Sequence, residues 1–168
     1  MEQVKIESVS DLFPSVELAY PIAVASYENI IKRIDALETR TQTMMAFAAT
    51  LTVAIPAMTA GRGLKFTSGW FITALILFAI ANAIGTISRL KGDLKLLSPK
   101  VLFDDYLACS DWEFKKETIY WAGENFSHNN NLLLERHRLV VWMNVIFSLE
   151  AAVLSVWAAA AISLPRLG

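Results

Sequence analysis

LVVWMNVIFSLEAAVLSVWAAAAISLP, residues 139–165, is the stretch that decides the fold of this chain. It lies between Arg138 and Arg166, is 27 residues long, and contains a single charged residue, Glu150. A helix of about 20 residues, at about 1.5 Å per residue, already crosses the ~30 Å hydrocarbon core of a bilayer. The stretch therefore predicts a membrane-spanning helix with one acid close to its middle.

Two further runs without charge, residues 41–61 and 66–88, are also long enough to span a bilayer. Hydrophobic residues make up 55% of the chain, whereas a soluble domain has about 45–50%. A chain of 168 residues cannot surround three such helices with its own polar residues. The composition therefore predicts an all-α membrane protein with three transmembrane helices.

Amphipathic stretches beside the first and third spans predict long cytoplasmic helical extensions. Apolar residues recur at helical spacing in the first stretch and every seven residues in the second. We expect these two faces to pack against each other as a stalk. The expected packing residues are Ile30, Ile34 and Leu37 on the first face, and Trp112, Ile119, Phe126 and Leu133 on the second.

The pattern also predicts where each segment begins and ends. The second helix is expected to continue through Leu97, and a capping box at Ser110 and Glu113 is expected to start the next one. The polar patch at residues 127–131 is the point at which that helix is most easily broken. The predicted segments are an N-terminal polar segment at 1–21, a cytoplasmic helix at 22–42 that is continuous with the first span at 43–60, a second span at 68–89, a cytoplasmic connector and helix at 90–137, and a third span at 138–163.

The distribution of Lys and Arg predicts the orientation. Cytoplasmic loops carry an excess of these residues. The N-terminal arm and the connector have Lys5, Lys32, Arg33, Arg40, Arg89, Lys91, Lys95, Lys100, Lys115, Lys116, Arg136 and Arg138, and the other side has Arg62, Lys65 and Arg166. We therefore expect a multi-pass protein of the bacterial inner membrane, with a cytoplasmic N-terminus and an external C-terminus. Trp142 and Trp157, near the two ends of the third span, are expected as interface markers.

Polar side chains inside the predicted spans are the candidate site residues. Glu150 is the strongest candidate because a charge near the middle of a bilayer is costly. One interpretation is an ion or proton site that lines a pore or an oligomer seam; the other is a neutral acid that bonds to a neighbouring helix. Its candidate partners at similar depth are Thr50 or Thr52, with Asn82 about one turn away, and Asn82 and Asn144 are the other intramembrane polar candidates.

Motifs for catalysis and for cofactor binding do not occur in the sequence. There is no Gly-rich phosphate loop, no GxSxG and no HExxH. His128 and His137 do not share a helix face, and Cys109 is the single cysteine, whereas structural zinc needs four nearby ligands. The net charge of −1 argues against nucleic-acid binding. We expect a non-enzymatic protein with no cofactor, metal or nucleic-acid partner.

Short patterns around the spans carry a family resemblance. Glu38 and Arg40 form an acid–x–base pair at the membrane boundary, followed by a small residue and by large apolar residues. Leu-Leu-Ser-Pro at 96–99 follows the second span, and a helix at 113–138 leads into the third. In this order the chain resembles the Pycsar transmembrane effectors of bacterial antiphage systems and, more loosely, the SLATT-type effectors. The Pycsar pattern typically has Asp and Lys where this chain has Glu38 and Arg40.

The resemblance implies an effector that rests in the inner membrane. On a signal from a cyclic-nucleotide pathway it would oligomerise or rearrange and disrupt membrane integrity. The chain is too short to hold a nucleotide-binding domain beside three spans, so a cytoplasmic signalling partner or the stalk itself would receive the signal. The other expected partners are the lipid bilayer and further copies of the chain. The alternative is a structural or accessory membrane subunit that docks a cytoplasmic partner through its stalk.

Overall fold

The computed structural model describes residues 15–59 and 69–163, and it is helical over most of them. One helical turn at Pro99–Val101 and a π-helical segment at Leu102–Tyr106 lie between the second and third long helices. No strand occurs in these two described ranges. The long helices are α1 at Val16–Thr59, α2 at Gly69–Leu90 and α3 at Asp111–Ser163. Each is long and apolar enough to cross a membrane, which confirms the all-α prediction and its three candidate spans.

The start of α1 differs from the sequence prediction. The amides of Leu18 and Ala19 donate to the Ser15 carbonyl at 3.1 and 2.9 Å, so the first turn is already hydrogen-bonded. The helix begins at Val16, and the predicted polar segment 1–21 is therefore wrong over its last residues. The part of that segment before Ser15 lies outside the described residues.

The end of α2 also differs from the prediction. The helix ends at Leu90, and the chain then runs without helical structure to the turn at Pro99. Gly92 has a φ of 70°, the left-handed conformation that commonly terminates a helix and that glycine adopts without a Cβ clash. The prediction that this helix continues through Leu97 is wrong because the backbone turns at Gly92.

The predicted capping box at the start of α3 is confirmed. The Glu113 amide donates to Ser110 Oγ at 3.3 Å, and the Ser110 amide donates to Glu113 Oε2 at 3.0 Å. Each residue thereby satisfies a backbone donor that the helix cannot satisfy. Hydrogen bonds from the Ser110 backbone and side chain lower the pKa of the Glu113 carboxyl, since they favour its charged form.

The polar patch at residues 127–131 does not break α3, which is continuous over 53 residues. Within the patch, Asn129 is fully buried. Its amide group pairs with both backbone groups of Lys95, accepting from the N–H and donating to the carbonyl, each at 3.1 Å. The patch is stable in a helix because its buried member holds the connector segment.

The chain divides into two compact units, to both of which α1 and α3 contribute. The connector unit comprises, among the described residues, 15–34 and 93–133; the three-helix unit comprises 35–59, 69–92 and 134–163. In the connector unit the rings of Tyr27 and Trp121 meet at 5.1 Å between centroids. This contact shows that α1 and α3 pack together there.

The predicted stalk-packing residues have different environments. Ile30, Ile34 and Leu133 are buried, and Trp112 and Ile119 are half-buried. Phe126 is 39% exposed, and Ala122, Asn125 and Asn129 have the fully buried positions around it. Leu37 belongs to the three-helix unit, where it packs against Ala81, Val140 and Met143. The heptad spacing therefore identified the packing face only in part, because small and amide side chains share it.

Small side chains of α2 form the buried face of the three-helix unit. Ala74, Ala81, Gly85 and Ser88 are buried, and large side chains such as Ile72, Leu75 and Ile76 are exposed on the other side. Small residues allow helix backbones to approach closely. This arrangement leaves the apolar surface of α2 facing outward, as a lipid-exposed helix requires.

A second core cluster of this unit contains Trp157. It is 3% exposed and packs with Ala74 and Leu154, and its ring lies 5.2 Å from that of Phe71. Trp157 therefore faces the core of the unit and not its outer surface, and its role as an interface marker stays a prediction. Trp142, the other expected marker, is exposed.

Candidate functional site

Glu150 of α3 and Thr52 of α1 form a buried polar contact in the three-helix unit. Oγ1 of Thr52 lies 2.5 Å from Oε1 of Glu150, and the two residues are 8% and 2% exposed. Thr50 is exposed, and its hydroxyl donates to the Ala46 carbonyl of its own helix. Residues two positions apart on a helix are rotated by about 200° about its axis, so the side chains of Thr50 and Thr52 face different ways. The structure thus selects Thr52 from the two partners that the sequence left open.

The Thr52 hydroxyl lies within hydrogen-bonding distance of two acceptors. Its Oγ1 is also 2.9 Å from the Ala48 carbonyl oxygen, and a hydroxyl carries only one donor proton. If Thr52 donates to Ala48, its contact with Glu150 requires a proton on the carboxyl. If Thr52 donates to an ionised Glu150, it cannot also donate to Ala48. A neutral Glu150 therefore satisfies both contacts, and an ionised one satisfies only one of them.

The second carboxyl oxygen of Glu150 has no partner. Oε2 is buried and makes no hydrogen bond with any described residue. A buried carboxylate oxygen without a donor is costly, and the cost is smaller for a neutral acid. This oxygen therefore has hydrogen-bonding capacity that no described residue uses.

A groove between α1 and α3 passes Glu150 and has a volume of about 560 Å³. Its walls include the apolar side chains of Met44, Phe47 and Phe147. Arg40 also lines it, and on α1 this residue lies about 18 Å along the helix axis from Thr52, at about 1.5 Å per residue. The groove thus connects a surface cation with a buried acid through apolar walls.

Asn144 lines the same groove and has a partly unsatisfied amide. Its Oδ1 is buried and has no hydrogen-bond partner among the described residues. The Ser148 hydroxyl donates to the backbone carbonyl of Asn144 at 2.9 Å. Both residues also line a second groove of about 390 Å³ on α3, together with Val141, Val145 and Leu149. Asn144 therefore lies between the Glu150 groove and the exposed face of α3.

Asn82, the third predicted intramembrane polar residue, does not belong to this site. Its amide donates to the Phe78 carbonyl of its own helix at 2.8 Å. No hydrogen bond joins its side chain to α1 or α3 within the described part of the chain. The cross-helix bond expected of Asn82 is not formed, because a carbonyl one turn back along α2 is the nearer acceptor.

The two members of the predicted charge pair at the membrane boundary, Glu38 and Arg40, do not form an ion pair with each other. Nε of Arg89 lies 3.3 Å from Oε1 of Glu38, so the acid pairs with α2. Arg40 is exposed and makes no ion pair with a described residue. The pair is a pattern in the sequence and not a contact in the structure.

The three-helix unit is also closely packed at Gly85, where a Cβ atom would lie 2.9 Å from Sδ of Met143 and 3.0 Å from Sδ of Met45. The small residues of the second span predict such a close approach of helix backbones, but the sequence did not identify the two methionines as the neighbours. The buried small residues of α2 recur at spacings of seven, four and three, and that helical periodicity was the signal for this face. The burial of the Trp157 indole was not predicted, because its position near the end of the third span suggested an interface residue.

Metal binding finds no support in the described ranges. No group of three or more His, Cys, Asp or Glu there could hold a metal ion. Nε2 of His128 lies 3.2 Å from the Asp93 carbonyl oxygen, and His137 is exposed.

No family model, curated protein or solved structure matches this chain. Its function must therefore be argued from the Glu150 site, and the resemblance to antiphage effectors stays a prediction.

Proposed function

We propose that this chain is a non-enzymatic inner-membrane effector of bacterial antiphage defence, which oligomerises or rearranges on a signal and disrupts membrane integrity. The observation that carries the proposal is the presence of buried, unpartnered polar oxygens on Glu150 and Asn144 in an otherwise apolar part of α3. Polar groups inside a bilayer are expensive and commonly mark a functional site. The link to defence and to cyclic-nucleotide signalling is supported by the sequence resemblance alone.

Assembly through α3 would explain the polar residues on its outer face. Val141, Val145 and Leu149 are exposed there, and Asn144 and Ser148 lie among them. In hydrocarbon, small and amide side chains associate helices by interhelical hydrogen bonds. A second copy of α3 would supply hydrogen-bond partners for the Asn144 amide group and the Ser148 hydroxyl. We therefore place the interface between copies on this face.

Membrane disruption would require several copies. Three helices packed around a filled core leave no water-filled channel in one molecule, whereas a ring of copies could place polar side chains along its seams. Asn144 and Ser148 are the residues of α3 that such a seam would expose to water. This arrangement makes the effector proposal compatible with the size of the chain.

The alternative, an accessory membrane subunit, is favoured by one feature of the connector unit. Leu96, Phe103 and Leu107 are large apolar side chains with more than half of their surface exposed. Exposed apolar residues close together in the chain commonly mark an interaction site. A cytoplasmic protein that covers them would fit a subunit whose role is docking.

The two functions can be separated in cells that carry the full chain. We expect phage infection to collapse membrane potential, measured with a potential-sensitive dye, when the wild-type chain is present. The double variant Asn144→Leu with Ser148→Ala should retain the potential, because removing one interhelical hydrogen bond weakens association about fivefold, at roughly 1 kcal/mol. Ser155→Ala is the matched control, since the Ser155 hydroxyl bonds to the Ala151 carbonyl of its own helix.

Purification in mild detergent provides the second measurement. A homo-oligomer that the double variant weakens supports the effector. A normal membrane potential during infection, together with a stable complex with another protein, would instead establish the accessory subunit.

A further inference from the structure

We infer that Glu150 is held as a neutral carboxylic acid and is a proton-binding site that exchanges its proton with water in the groove between α1 and α3. The hydrogen-bonding capacity of Thr52 carries this inference. Two contacts meet at Thr52 Oγ1, one with the Ala48 carbonyl and one with Glu150 Oε1. One proton comes from the threonine, and the second has to come from the acid.

The charges around Glu150 also favour a neutral acid. On α2, no charged residue occurs between Gly69 and Ser88, and on α3 none other than Glu150 occurs from Leu139 to Ser163. From α1, the groove receives only Arg40 as a cation, about 18 Å along the helix axis from Thr52. An ion pair requires charges within about 4 Å, so an ionised Glu150 would have no counter-ion among the described residues.

Proton release can be written with every hydrogen bond accounted for. The O–H bond of Glu150 breaks, its electron pair stays on the carboxylate, and the proton passes to a water molecule in the groove. The Thr52 hydroxyl then turns its proton from the Ala48 carbonyl to Glu150 Oε1. Oε2, which has no partner in the described part of the protein, accepts a bond from water. Reprotonation reverses each step.

The test is infrared spectroscopy of the full chain in lipid vesicles at neutral pH. The probe is the carbonyl stretch of a protonated carboxylic acid, which shifts on transfer to D₂O. We expect this band in the wild type and its complete loss in Glu150→Gln, whose amide can still donate to Thr52. Thr52→Val should shift the band, because the O–H group of the acid loses its acceptor. Thr50→Val is the matched control and should leave it unchanged, since the Thr50 hydroxyl bonds to the Ala46 carbonyl of its own helix.

Each result has a defined meaning. A wild-type spectrum without a band that Glu150→Gln removes would overturn the inference. A band that Thr52→Val leaves unshifted would also overturn it, because the pairing with Thr52 is its basis. Circular dichroism checks that the variants keep their helices, and Thr52→Val retains the test if Glu150→Gln does not fold. The band does not depend on membrane disruption, so this inference and the proposed function fail separately.

Discussion

Gly85 shows how closely a single residue of α2 is matched to its neighbours. The space where a Cβ atom would lie is bounded by the sulfur atoms of Met45 and Met143, at 3.0 and 2.9 Å. Methionine side chains are flexible and can adjust by a few tenths of an ångström. A branched side chain at residue 85 needs more room than such an adjustment provides.

We therefore expect Gly85→Val to lower the free energy of unfolding by about 1–3 kcal/mol, the usual cost of overpacking a core. Thermal unfolding in detergent, followed by circular dichroism, measures the change. The matched control is Gly123→Ala on α3, where an added Cβ meets nothing within 4 Å. This control should stabilise the helix by up to about 1 kcal/mol. Equal melting of Gly85→Val and the wild type would disprove the close packing.

At the scale of elements, the end of α2 is held by one side chain of α3. Arg136 donates from Nε to the Lys91 carbonyl at 3.0 Å, and from Nη2 to the carbonyls of Gly92 and Arg89 at 3.1 and 3.3 Å. The last carbonyls of a helix have no partner within it. The planar guanidinium offers several donors in a fixed geometry, so it can bond to the Arg89 carbonyl in the last turn of α2 together with the Lys91 and Gly92 carbonyls just after it.

Arg136→Lys should loosen this helix end although it keeps the charge. A lysine ammonium cannot reproduce the planar arrangement of donors in the guanidinium group. Hydrogen bonds to a charged group contribute about 1.5–3 kcal/mol each. We expect hydrogen exchange at the amides of the last turn of α2 to become about tenfold faster, which corresponds to roughly 1.4 kcal/mol. Arg138→Lys, an exposed change on the same helix, is the control. Exchange rates equal to those of the wild type would show that Arg136 does not hold α2.

At the scale of the whole molecule, three spans make a topological prediction. An odd number of crossings places the two termini in different compartments. The excess of Lys and Arg in the N-terminal arm and the connector predicts that those segments lie in the cytoplasm. The three helices are long and apolar enough for such crossings, and the orientation follows from charge alone.

Reporter fusions measure this topology. We expect a reporter at the N-terminus and one inserted near Cys109 to be active in the cytoplasm, and one at the C-terminus to be active outside. The insertion near Cys109 is the internal control, since it reports the connector separately from the N-terminus. If both termini report one compartment, at least one of the three helices does not cross the membrane.

The sequence by itself determined the all-α class, the three candidate spans, the capping box at Ser110 and the position of a lone acid in the third span. Only the tertiary structure decided that Thr52 bonds to Glu150, that Asn82 bonds within its own helix and that Trp157 faces inward. The physical reason is that hydropathy, length and capping are properties of neighbouring residues along the chain. Which side chain meets which depends on the rotation of each helix about its axis, and that rotation is set by packing against the other two.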